Sequence, residues 1–150
     1  MQAHPPEDGP ALLLELLDDL SPFWGERDMA FLHQPVWVHQ FGSDALVVRD
    51  EGVLAGYLLG AAPPAGVAYV NAVATRGSHR GRGVGRALYE AFLDTCRERE
   101  VTWVEAITGV ENAGSRAFHA RLGFDERVVA DHAGRGLDRV LFRRGLTPGH

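Results

Sequence analysis

The sequence has little sulfur. Its single cysteine, Cys96, has no partner for an intrachain disulfide and no companion for a thiolate metal cluster, which fits a reducing cytoplasm. Long apolar runs are missing too. The longest near the N-terminus, Ala11 to Leu17, is broken by Glu15, followed by Asp18 and Asp19, and preceded by no basic segment. A signal peptide and a membrane span are therefore not expected. Nor is there an excess of positive charge: 15 Lys and Arg stand against 20 Asp and Glu, a net charge of -5. That balance argues against a dedicated nucleic-acid binder. No metal-ligand spacing links the seven histidines, and no internal repeat divides the chain. One domain spanning 1–150 is expected, with loose termini at 1–10 and 146–150.

What is present centres on Val70 to Leu88, VNAVATRGSHRGRGVGRAL. It reads as a buried strand, a loop dense in Gly and Arg, and the first turn of a helix. That order aims unpaired backbone N–H groups and the positive end of a helix dipole at one point. Arg76, Arg80, Arg82 and Arg86 add positive charge where a phosphate-bearing ligand would sit.

Around this stretch the patterning predicts a helix over Pro10–Leu20, ended by Ser21-Pro22, and a short helix over Glu26–His33 stopped by Pro35. Ala45–Arg49 and Val53–Leu59 read as a hairpin across Asp50-Glu51-Gly52, and Val67–Thr75 adds a third antiparallel strand. Val84–Glu98 is a helix whose packing stripe is Val84, Leu88, Phe92 and Cys96. Val101–Ile107 is nearly unbroken in apolar character, as in the middle of a sheet covered on both faces; Trp103 is read as core. Asn112 caps a helix running to about Leu122, and Gly123 ends it. Phe124–Val129 and Leu137–Arg143 close the fold as a strand pair.

Three phosphate-loop patterns compete for the glycine-rich loop. A Walker A loop needs Lys then Ser or Thr after its second Gly, and neither follows. A dinucleotide fingerprint needs G-x-G-x-x-G after a βαβ strand, but the third position falls on Arg86 or Leu88 and a meander precedes it. The third pattern, Arg/Gln-x-x-Gly-x-Gly/Ala, is met by Arg80, Gly83 and Gly85. It resembles the acetyl-coenzyme-A-binding motif of the GNAT superfamily of N-acetyltransferases. A second stretch, from Asn112 through Ser115, Phe118 and His119 to Leu122-Gly123-Phe124, resembles that family's following motif, in the correct order. The resemblance covers about Ala45 to Arg144. The family's first strand is not evident; it is either absent or built from Val36 to Phe41.

The resemblance implies an α/β (α+β) fold, a central mixed, mostly antiparallel sheet splayed at its middle strands and flanked by helices. It implies that acetyl-coenzyme A lies in the splay. Val73, Ala74 and Thr75 would run beside the pantetheine arm, and an N–H near Val73 would polarise the thioester carbonyl. The backbone of Arg80, Gly81, Arg82, Gly83, Val84, Gly85 and Arg86 would cradle the pyrophosphate, with Asn112 and Ser115 on the cofactor's far side. A fixed oxyanion donor contributes about 3–4 kcal/mol to such a step.

His119 departs from the family, where this position is usually a Tyr proposed to protonate the leaving thiolate. Only the imidazolium, with unperturbed pKa ~6.5, donates readily. His119 thus reads as proton donor, cofactor wall or packing residue. An attacking ammonium must lose its proton, and Glu105, in VTWVEAI, is the candidate base; the alternative is a structural ion pair with an Arg. Tyr69 and Asn71 are weaker choices. Phe23, Trp24, Arg27, His33, Trp37, His39 and Gln40 crowd one segment, either as a packed flap or as an acceptor pocket wall, with Trp24, Arg27, Trp37 and His39 the candidate wall residues. The expected activity is acetyl transfer to a primary amine of a small molecule or peptide by direct attack. A non-catalytic coenzyme-A-binding module and a nucleotide-binding interaction domain are the alternatives. No metal, nucleic-acid or membrane partner is expected; a homodimer is an open possibility.

Overall fold

The computed structural model describes residues 1–146. Seven strands form one sheet: β1 (Ala3–His4), β2 (Leu46–Asp50), β3 (Val53–Ala61), β4 (Val67–Thr75), β5 (Trp103–Gly109), β6 (Asp125–Val129) and β7 (Arg139–Gly145). Their spatial order is β1-β2-β3-β4-β5-β7-β6. Only β4 and β5 run parallel; every other neighbouring pair is antiparallel. The helices are α1 (Gly9–Asp18), α2 (Ser21–Trp24), α3 (Val36–His39), α4 (Val84–Glu98) and α5 (Ala113–Arg121). The mixed, mostly antiparallel sheet between helical layers is the architecture expected from the sequence. No helix among the described residues is long and apolar enough to cross a membrane.

The sheet separates two cores. On one face α4 buries Val84, Leu88, Phe92 and Cys96 against Leu58, Val70, Val104 and Phe142. Each large apolar side chain so buried stabilises the fold by about 1.5–3 kcal/mol. On the other face Leu12, Leu13 and Leu16 of α1 and Val38 of α3 pack on Val47, Leu54, Tyr57 and Leu59. Strand β3, covered on both sides, is buried from Leu54 to Gly60. Gly56 makes the close approach of α4 to this strand possible. A Cβ there would lie 2.5 Å from Val84 Cγ1 and 2.9 Å from the Ala74 carbonyl oxygen.

Several expectations are corrected. The opening residues are not loose: Ala3 pairs with Val48 and His4 with Val47, so β1 is the sheet's first strand. Asp8 accepts the Ala11 N–H at 3.0 Å and caps α1, with Pro10 in its first turn. Val36 to Phe41 therefore supplies no strand. Pro35, at φ −56°, starts the single turn of α3, and its carbonyl accepts the His39 N–H at 2.9 Å. The helix expected over Glu26–His33 shrinks to one 3₁₀ turn, Ala30–Leu32. Asp28 accepts the Ala30 N–H and the His33 ring occupies the Met29 carbonyl, local bonds that compete with helix. Ser21-Pro22 opens α2 rather than merely ending α1, with Pro22 in its first turn. Of the second terminus expected to be loose, Leu146 is buried and its N–H donates to the Thr102 carbonyl at 2.9 Å; 147–150 lie outside the described residues.

Gly56→Ala is expected to destabilise the protein by about 1–3 kcal/mol, the usual cost of overpacking, because one of its two close neighbours is backbone that cannot rotate away. Urea denaturation of the two proteins measures the difference.

Candidate active site

Strands β4 and β5 pair from Val67↔Trp103 to Val70↔Ala106 and then part. The register of β3 against β4 shifts at this point: Gly60 faces Val70 and Leu59 faces Ala72, so Asn71 is an extra, bulged residue. Beyond it Asn71 to Thr75 have no β5 partner, and Ile107 to Gly109 have no β4 partner. The gap opens into a cleft of about 820 Å³. Asn71–Thr75 and Ala106–Thr108 line its floor, Gly83–Arg86 of α4 and Asn112 to His119 of α5 one end, and Trp24, Arg27, Met29, Phe31 and Leu32 the other.

The glycine-rich loop delivers an open helix end to this cleft. Gly83 stands at the N-cap of α4 with φ +79°, a left-handed conformation, and no side chain caps the helix. The first N–H groups of a 15-residue helix are thus left for a ligand. The loop is braced from behind. His79 Nε2 meets Asp50 Oδ2 at 3.0 Å, and Arg82 reaches the same carboxylate at 3.7 Å. Arg76 donates to the Leu54 carbonyl and Arg80 to that of Phe23. Most of the loop's arginines therefore secure its shape, which leaves the first N–H groups of α4 open to the cleft. An uncapped helix end, a strand edge with unpaired amides and a long cleft joining them suit a diphosphate carrying an amide-bearing arm, which is the form of coenzyme A.

Of the residues singled out in the sequence, Val73, Ala74, Thr75, Arg80, Gly81, Gly83, Val84, Gly85, Arg86, Asn112, Ser115, His119, Trp24 and Arg27 all line the cleft. Arg82 does not; it turns back to Asp50. Glu105 does not either. Its carboxylate meets Arg143 Nε at 3.3 Å, the structural ion pair that the sequence left as the alternative. Trp103 is not core: it is 40% exposed, with the Arg143 guanidinium 4.0 Å over its ring. Trp37 leans on Phe41 and Tyr69 instead of facing the cleft, and His39 is exposed on α3. Sequence reasoning missed Tyr89, Arg139 and the Trp24–Tyr57–His33 chain. None has a local signal, because each depends on partners distant in sequence.

The profile of the Acetyltransferase (GNAT) family matches residues 11–124. The chain belongs to this family. It is 33% identical over 141 residues to the mycothiol acetyltransferase of Beutenbergia cavernae, covering 90% of this chain and 40% of that protein. It is 30% identical over 118 residues to the L-2,4-diaminobutyric acid acetyltransferase of Streptomyces coelicolor, covering 75% of this chain and 65% of that protein. The chain thus spans less than two thirds of either relative. Among solved structures, yncA of Salmonella typhimurium, determined with its cofactor acetyl-CoA, superimposes with a TM-score of 0.70 at 20% identity, over 99% of this chain and 95% of that one.

Within this GNAT framework the orientation of His119 is fixed by its hydrogen bonds. Its Nδ1 lies 2.8 Å from the Ser115 carbonyl oxygen, which only accepts, so Nδ1 carries the proton. Tyr89 O–H donates to Nε2 at 2.6 Å. The ring stacks on Phe142 at 4.0 Å and is 4% exposed. Burial pushes its pKa down, and burial raises that of Tyr89, so both groups are neutral near pH 7. The proton-donor reading is thereby disfavoured: the only ring proton is committed to Ser115. A parallel chain seats the flap. Trp24 Nε1–H donates to Tyr57 Oη at 2.7 Å, Tyr57 O–H donates to His33 Nε2 at 2.7 Å, and His33 Nδ1–H donates to the Met29 carbonyl at 2.8 Å. Burial lowers the pKa of His33 as well.

With both histidines held below their unfolded pKa of about 6.5, the unfolded chain binds protons that the folded one refuses as pH falls through that value. Stability is therefore expected to decline from pH 7.5 to 5. Thermal midpoints by circular dichroism should drop by several degrees over that range; a flat profile contradicts the neutral assignment.

Proposed function

We propose that this chain transfers the acetyl group of acetyl-coenzyme A to a primary amine by direct attack within a ternary complex. The observation that carries the reading is the parting of β4 from β5 beside the uncapped N-terminus of α4. Acetyl-coenzyme A supplies an acyl group activated as a thioester. The α4 amides from Gly83 onward would hold its diphosphate, and the free edge at Val73 to Thr75 would hold its amide arm. An N–H near Val73 would donate a hydrogen bond to the negative charge developing on the acyl oxygen, a preorganised contribution of about 3–4 kcal/mol. No covalent attachment to the chain is needed: Cys96 is buried under α4, and burial pushes its thiol up to about 12.

The neutral His119 acts as a wall that excludes water and not as an acid. A thiolate, of parent pKa about 8.5, leaves without much help. Glu105 is occupied by Arg143, and Tyr69, which does line the cleft, has its pKa raised by burial and by the Glu105 charge. The acceptor ammonium therefore releases its proton to solvent, and the neutral amine attacks. The relative from Streptomyces coelicolor is an L-2,4-diaminobutyric acid acetyltransferase, which supports a small amine acceptor here.

Acetyl-coenzyme-A-dependent thiol release with a panel of amines tests the activity; binding without turnover of any amine would leave a coenzyme-A-binding module. Gly83→Asp is expected to lose acetyl-coenzyme A binding by calorimetry, because Asp tolerates the left-handed backbone but brings a carboxylate to the helix end. Glu105→Gln is expected to keep the alkaline-rising limb of the pH–rate profile, since that limb belongs to the substrate amine. Loss of the limb would make Glu105 the base.

A further inference from the structure

Among the described residues, no side-chain carboxylate lines the cleft. Five arginines line it, Arg27, Arg80, Arg86, Arg121 and Arg139, and no Asp or Glu does. In a chain with 20 acidic residues this is a pronounced local bias. The five divide between the two faces of the sheet. Arg80 and Arg86 belong to the glycine-rich loop and α4, and Arg121 ends α5, all on the α4 face. Arg139 lies on the opposite one. Val140 and Phe142 are buried in the core beneath α4, so by strand alternation Arg139 and Leu141 project away from it. Arg27 sits on the flap, its guanidinium 5.5 Å from the centre of the Trp24 ring.

The pairing pattern sharpens the contrast. Arg49, Arg82, Arg86, Arg97, Arg99, Arg116 and Arg143 each meet a carboxylate. Of the five in the cleft only Arg86 does; Arg27, Arg80, Arg121 and Arg139 meet none among the described residues, Arg80 being held by the Phe23 carbonyl at 3.0 Å and Arg139 by that of Asp138 at 2.9 Å. Arg27 on the flap and Arg139 on the sheet face away from α4 share the cleft with the apolar Trp24, Met29, Phe31 and Leu32, and as cations without counter-ions they repel a polycation and attract an anion. A guanidinium also binds carboxylate through paired, charge-assisted hydrogen bonds.

We propose that the acceptor is a small primary amine that also carries a carboxylate, bound through Arg27 and Arg139, with its apolar part against the flap. The inference rests on the acetyl-transfer reading. It excludes polyamines and other polycationic amines as preferred substrates, because nothing in the cleft would neutralise their second charge.

Matched pairs differing only in the carboxylate provide the test: phenylalanine against phenethylamine, and lysine against cadaverine, with spermidine added. The acid of each pair is expected to have at least a tenfold higher kcat/KM. Arg27→Gln and Arg139→Gln should each bring that ratio down severalfold, and Arg139→Lys should restore part of it. Calorimetry gives a readout independent of turnover: N-acetylphenylalanine should bind more tightly than N-acetylphenethylamine, and the Gln variants should erase the difference. Circular dichroism of each variant establishes that it is folded. Neutral or polycationic members turned over as well as the acids, or product binding indifferent to the carboxylate, would overturn this inference while leaving acetyl transfer intact. No turnover of any member would overturn both readings.

Discussion

The separation of β4 from β5 is the constraint on which the rest of the molecule depends. The two strands are the only parallel neighbours in the sheet, and their ladder ends at Val70↔Ala106. Continuing it would close the cleft. The bulge at Asn71 is what redirects β4: one extra residue increases local twist and swings the following backbone away. The Asn71 side chain then fastens the bulge to the flap by donating to the Leu32 carbonyl at 2.6 Å. A single residue thus couples the opening of the sheet to the wall that covers it.

Each side of the opening is stiffened by a buried polar chain in which a tyrosine hydroxyl meets a histidine. Tyr89, His119 and the Ser115 carbonyl join α4 to α5 on one face. Trp24, Tyr57, His33 and the Met29 carbonyl join the flap to β3 on the other. Every group in both chains is satisfied, and no buried side-chain polar atom among the described residues lacks a partner. Fully satisfied networks of this kind fix geometry at little cost, whereas breaking one leaves a desolvated donor or acceptor. The cleft walls are therefore held by directional bonds as well as by apolar packing.

The parts legible in the sequence were those whose information is local. The Arg80-Gly83-Gly85 spacing and the Asn112 cap followed by Leu122-Gly123-Phe124 lie within one turn-and-helix each, and both stretches border the cleft. The first strand was not legible because it is two residues long and too short to show a period. The sequence suggests a short helix over Glu26–His33 stopped by Pro35, but Asp28 and His33 divert its backbone bonds. Glu105 carried no mark of its pairing with Arg143, which cross-strand register alone creates. Tyr57 and Tyr89 have no local signal at all: their rings are buried, and only their hydroxyl partners, 24 to 33 positions away, reveal the second role.

The arginines of the cleft belong to a wider choice of side chain. All 15 residues in the Lys and Arg class are arginine; the sequence contains no lysine. A guanidinium stays protonated with a pKa above about 12 and offers no free lone pair to an acyl donor. On the acetyl-transfer reading, a lysine at Arg27 or Arg139 would place an acylatable amine in the cleft that holds the thioester. With arginine throughout, the protein keeps the cationic attraction and, if it transfers acetyl groups as proposed above, presents no side-chain amine to its own acyl donor.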